Sequence, residues 1–171
     1  MSGKIFAFFV ALLVIPCFVY ADDIASQAGP FELEVGGSGA NDRNFRAGDF
    51  TLNGEFGVFI LPIIELSARD AVSYTDLPHT HPSWGNTVDG AIDLEIPIDR
   101  FEPYVGGNVG YACGTAAHST GEAAPEIGLK IFFDKSVFVF GQMEYDFFFN
   151  NTHSTFDTGE FVYTVGLGLR F

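Results

Sequence analysis

The chain ends in EFVYTVGLGLRF, residues 160–171. Taken by twos from the last residue, it reads Phe171, Leu169, Leu167, Val165, Tyr163, Phe161, all apolar. The intervening residues are Arg170, Gly168, Gly166, Thr164, Val162 and Glu160. Period-two alternation of this kind marks a β-strand with two unlike faces. One face is greasy along its whole length and ends in a large aromatic, so it needs an apolar partner that the other face does not.

The same alternation recurs upstream, for eight runs in all. Phe31-Leu33-Val35, Phe50-Leu52-Gly54-Phe56-Val58, Ile64-Leu66-Ala68 and Val88-Gly90-Ile92-Leu94-Ile96 form the first four apolar faces. Pro103-Val105-Gly107-Val109-Tyr111, Pro125-Ile127-Leu129-Ile131-Phe133 and Val139-Gly141-Met143-Tyr145-Phe147-Phe149 follow, and the terminal strand is the eighth. No convincing helical stretch is left outside the amino terminus. The connections alternate between short turns (ILPI, PIDR, DKS) and longer polar segments (ANDRNFRAG, TDLPHTHPSWGN, GTAAHSTG, NNTHSTFDTG). An even strand count, with turns at one end and loops at the other, predicts an all-β, antiparallel, up-and-down closed barrel. Strands of about 9–12 residues suit a tilted crossing of a bilayer.

The amino terminus, MSGKIFAFFVALLVIPCFVYADD, has one basic residue, Lys4, an apolar run, and Val19-Tyr20-Ala21 at its close. It reads as a secretory signal peptide over residues 1–21, with the barrel domain over 22–171. Pro16 interrupts the run and no basic stop-transfer cluster follows, which weighs against a membrane helix. Cleavage removes Lys4 and no acid, taking the formal charge from −14 to −15. So acidic a chain does not bind nucleic acid electrostatically. Cys17 would leave with the signal, so Cys113 stands alone without an intrachain disulfide.

Alternation alone does not say which face points outward. A soluble lipocalin-like barrel is apolar inside and polar outside, and its exterior carries many Lys and charges of mixed sign. Here the polar face is small and acidic, with Arg69, Lys130 and Arg170 as its bases. It fits a narrow interior. Aromatics gather near the ends of the apolar face, with Phe31, Phe133 and Phe171 at one edge and Tyr111, Tyr145, Phe147, Phe161 and Tyr163 toward the other. Two interfacial girdles require that placement.

Inside an eight-stranded barrel there is room for side chains and little else. The polar face predicts a salt-bridged interior in which Glu55, Arg69, Lys130 and Glu144 lie nearest mid-depth. Glu32, Glu95, Glu102 and Glu160 are expected near the ends and hydrated. Gly166 and Gly168 are expected to face inward and to leave room for larger polar side chains of neighbouring strands. A structural plug is the favoured reading of this network. A narrow conduit is the alternative, and the excess of acids would make it prefer cations.

The histidines lie in the long polar segments: His79 and His81, His118, and His153. Imidazole is a common metal ligand, yet histidines in solvated loops need no such role, and no metal or cofactor is assigned. His118-Ser119-Thr120 and His153-Ser154-Thr155 raise a hydrolase reading, with Glu122 completing a triad. Adjacent residues in an extended chain point to opposite sides, so the pattern argues against an enzyme.

The terminal strand, together with FEPYVGGNVGY (101–111) and VFVFGQMEYDF (137–147), resembles small eight-stranded outer-membrane barrels of the OmpA-transmembrane-domain, OmpX and OmpW type. The resemblance covers residues 22–171 and rests on generic motifs. It implies a bacterial outer-membrane location, a monomer, contact with outer-membrane lipid, and recognition by the barrel assembly machinery through Phe171, Leu169, Leu167 and Tyr163. Some members of this class are lipid A deacylases, but their His and Ser are one residue apart, unlike His118 and Ser119. An envelope-structural or surface-contact role is what the resemblance implies first. The loops name no extracellular partner.

Overall fold

The structure is a computed structural model that describes residues 29–41, 48–76, 81–115, 119–149 and 159–171. The expected signal peptide lies outside them. The described chain forms eight strands: β1 (Phe31–Asn41), β2 (Gly48–Leu61), β3 (Ile64–Asp76), β4 (Ser83–Glu95), β5 (Phe101–Gly114), β6 (Thr120–Phe132), β7 (Val137–Phe148) and β8 (Glu160–Arg170). Each pairs antiparallel with the next, and β8 pairs with β1 to close the barrel. Closure leaves no sheet edge, the condition for a β-structure in hydrocarbon.

The strands run 11–14 residues, longer than the sequence reading gave. The excess lies toward the loop end, as in β3, where exposed Asp70 interrupts the apolar face before Val72 and Tyr74 resume it. Hydrogen bonding along the ladder carries β3 through that interruption.

The turn end is tight. Ile98 and Phe101 exchange backbone hydrogen bonds of 2.7 and 2.9 Å around Asp99-Arg100. Asp99 takes φ 57°, a left-handed conformation that a short polar side chain tolerates. Pro62-Ile63 joins β2 to β3 next to a register shift between Phe59 and Leu61. The β6–β7 ladder breaks between Ala123 and Glu126, where Pro125 has no N–H to give. The seam is clamped at the carboxyl end, where Phe31 N–H donates to Phe171 O at 3.0 Å and Phe171 N–H to Phe31 O at 2.9 Å.

The apolar face points outward. Val165, Leu167, Tyr163 and Phe161 are each at least 59% exposed, whereas inward Thr164 and Arg170 are buried. Aromatics sit at both rims of that face. Phe31 stacks on Phe56 with centroids 6.0 Å apart and lies 6.2 Å from Phe171 at the turn end. At the loop end Tyr145 contacts Phe147 and Phe161, and Tyr74 contacts Trp84, with centroid separations of 4.7–4.8 Å. An apolar band between aromatic rims is the exterior of a membrane-spanning barrel. A soluble protein does not expose so much contiguous apolar surface.

Candidate functional site: the barrel lumen

Every inward strand position contributes to one narrow column, so residues far apart in sequence meet there. The ionic groups form two centres rather than a single network. The first is built on Arg69 of β3. Its Nη1 and Nη2 donate to the two oxygens of Glu126 at 2.6 and 2.7 Å, a bidentate fork from across the barrel. Nη2 also reaches Asp93 at 3.2 Å, and Nε lies 2.8 Å from Glu55. A planar guanidinium can serve three carboxylates at once, which an ammonium cannot do with the same directionality. Asn108 extends the centre, donating to Glu126 at 3.0 Å and to Glu144 at 2.9 Å.

The second centre lies at the turn end, on Lys130 and Arg170. Lys130 Nζ contacts Glu32 and stands 3.1 Å from Glu34, 3.2 Å from Glu65 and 2.6 Å from Glu95. Arg170 binds Glu32 at 2.6 Å, Glu95 at 2.8 Å and Glu102 at 2.9 Å. Glu32 and Glu95 thus bridge both cations. All these side chains are buried.

Of the four residues placed at mid-depth from the sequence, Glu55 and Arg69 pair directly. Glu144 joins the same centre through Asn108. Lys130 does not, and belongs to the turn-end centre. The expectation that Glu32, Glu95 and Glu102 are hydrated is overturned: each is no more than 1% exposed. Strand-end position suggested water, but Arg170 and Lys130 reach them there and aromatic rings close the column beneath. The side chain of Glu160 lies outside what is described.

Phe132, Phe138 and Phe140 form the apolar core of the lumen, exposed by 1%, 0% and 5%. The Arg170 guanidinium lies 4.4 Å from the Phe59 ring centroid and 5.0 Å from that of Phe132. Lys130 stands 5.3 Å from both Tyr104 and Phe138. Gly166 and Gly168 do face inward, but what they accommodate is aromatic rather than polar: a Cβ at Gly168 would strike the Phe138 ring, and one at Gly166 the ring of Phe140. Phe132 and Phe140 stand on the polar face in the sequence, where they look like exceptions to the alternation. That irregularity was the available signal for the plug.

Above the Arg69 centre, toward the loop end, a cavity of about 300 Å³ is lined in part by Asp89, Asn108, Glu122, Glu144 and Asp146. It is acidic and lies above Arg69, Tyr104, Gln142 and the phenylalanines. Tyr104 donates to Gln142 at 3.0 Å across the column.

The loop histidines form no described site. His81 is exposed, and His79, His118 and His153 lie outside the described residues, as does Ser154. Ser119 is exposed while Glu122 is buried on the inward face. Among the described residues, the groupings with metal-ligand spacing are carboxylate trios in the lumen, Glu32-Glu65-Glu95 and Glu55-Glu65-Asp93. Cys113 is a free, exposed thiol. Phe171, Leu169, Leu167 and Tyr163, the residues expected from the sequence to form an assembly signal, all lie on the outward face, from 47% to 61% exposed.

The chain is an eight-stranded β-barrel of outer-membrane type. It is similar in fold to Neisserial surface protein A, with a TM-score of 0.67 and 10% identity over 84% of this chain and 99% of that one. It is similar also to OprG of Pseudomonas aeruginosa, with a TM-score of 0.57 and 14% identity over 88% and 99% of the two chains. The Yersinia pestis outer membrane protein Ail gives a TM-score of 0.56 and 14% identity over 84% and 99%. No protein-family model and no curated protein matches the chain.

Proposed function

We propose that this chain is a monomeric, non-enzymatic protein of the bacterial outer membrane, with the barrel as a sealed anchor and the four loop segments as its surface for contact outside the cell. The observation that carries this reading is the filled lumen. From the loop end inward, a path meets the Arg69 centre, the Tyr104–Gln142 bridge, the Lys130–Arg170 centre and three buried phenylalanines. Breaking a buried, multiply bonded ion pair costs several kcal/mol, so thermal opening of two such centres together is rare. Partners follow from the exterior. Lipid covers the apolar band, and the barrel assembly machinery reads the terminal strand through Tyr163, Leu167, Leu169 and Phe171.

The acidic cavity at the loop end favours a second reading, a narrow cation-preferring conduit. Its carboxylates would concentrate cations at the mouth. The hydrolase reading lacks support of this kind, since Ser119 is exposed and Glu122 is buried in the lumen. Planar-bilayer recording separates the first two. A sealed anchor gives no unitary currents above the lipid baseline in molar KCl. Reproducible currents with a reversal potential set by the cation gradient would replace it with the conduit.

A further inference from the structure

The lumen holds more acid than its cations can serve. In the two centres eight carboxylates engage three cationic side chains. Buried carboxylates need compensation by charge and hydrogen bonds. Part of the shortfall falls between β3 and β4. Glu65 and Asp93 face each other across the β3–β4 ladder, are 1% and 2% exposed, and each has one oxygen without a hydrogen-bond partner. The other oxygen of Glu65 is held by Lys130, and that of Asp93 by Arg69. Glu55 completes a trio in which one carboxylate oxygen from each residue lies within 4.8 Å of the other two. Ser67, two residues along the same face of β3 from Glu65, also has a buried hydroxyl oxygen without a partner.

Two glycines clear the space. A Cβ on Gly57 would collide with the free oxygen of Glu65, and one on Gly106 with the free oxygen of Asp93. Both positions alternate inward, where any larger residue would satisfy the alternation equally well. What they provide is the room that the two unsatisfied oxygens occupy, that of Glu65 against β2 and that of Asp93 against β5.

We propose that Glu55, Glu65 and Asp93 form a calcium site inside the barrel, between the Arg69 and Lys130 centres. The donors are all oxygen, which suits a hard cation and not zinc or copper. Calcium accepts irregular sets of 6–8 oxygens at about 2.3–2.6 Å, so two of its ligand oxygens lie no more than about 5 Å apart. Magnesium demands a near-ideal octahedron and dehydrates reluctantly, which this crowded column does not favour. Water supplies the remaining ligands. The ion would join the two ionic centres into one column, whether or not the lumen conducts.

The test refolds the full barrel from urea into detergent with calcium chloride or with EDTA, desalts it, and measures calcium per folded chain by atomic emission. About one calcium per folded chain is expected, and a urea midpoint higher than that of EDTA-folded protein. In Glu65→Gln/Asp93→Asn the retained calcium should fall at least tenfold while the band remains heat-modifiable, because the amides keep the shape and remove the charge. Gly57→Ala keeps every carboxylate and displaces only the Glu65 oxygen, so it too should lose most of the calcium. Wild-type protein that folds yet retains no calcium overturns the proposal. So does either variant retaining as much as wild type, since the ion would then be held elsewhere.

Discussion

Arg69 shows how one side chain organises this interior. Its guanidinium meets Glu55, Asp93 and Glu126 from three different strands. Arg69→Ala would leave three carboxylates facing one another without a cation. Losing one partner of a buried pair costs about 3–5 kcal/mol, and a loss of that size is expected in urea unfolding followed by gel mobility. Arg69→Lys should recover only part of it, because an ammonium cannot reproduce the bidentate bond to Glu126. A loss no greater than that of an exposed substitution would mean the centre is solvated. Gly168 makes a second point at this scale. Its missing Cβ is where the Phe138 ring lies. Gly168→Ala should destabilise by about 1–3 kcal/mol through overpacking, and Phe138→Leu in the same chain should relieve much of that cost. Additive effects would show that the two do not meet.

Elements were more legible than contacts. Alternation located all eight strands and the three turns, because that pattern follows from which neighbour each face touches. Strand ends were less legible, as at β3, where exposed Asp70 interrupts the apolar face that Val72 and Tyr74 then resume. The pairing of Arg69 with Glu126 could not be read, since barrel closure brings β3 and β6 together across the lumen and no local pattern encodes it. The burial of Glu32, Glu95 and Glu102 failed for the same reason. Their partners, Lys130 and Arg170, lie on β6 and β8. For β8, the two faces predict opposite responses. Val165 is 68% exposed, and Val165→Arg should cost about 2–4 kcal/mol if it lies near the bilayer midplane. Thr164→Arg is not the mild control the sequence suggests, because Thr164 is buried in a filled lumen, beside Gly36; Thr164→Ala serves instead. Deleting Phe171 should reduce the yield of heat-modifiable protein in outer membranes several-fold while leaving detergent refolding nearly intact. Equal loss in both settings would assign Phe171 to stability, through its paired hydrogen bonds with Phe31, rather than to recognition.

For the whole molecule, the governing fact is inversion: the ionic groups are inside and the apolar side chains outside. In water this arrangement would be unstable, since it exposes Val35, Val109, Val165 and Leu167 while desolvating eight carboxylates. In a bilayer both features become favourable together. The most direct test is solution NMR of the folded barrel in micelles, with a lipid-soluble nitroxide added. The methyl signals of Val35, Val165, Leu167 and Leu169 should broaden strongly, while those of inward Ala91, Ala124 and Thr164 stay sharp. Sharp signals from the first group and broadened signals from the second would place the apolar face inside and contradict the account.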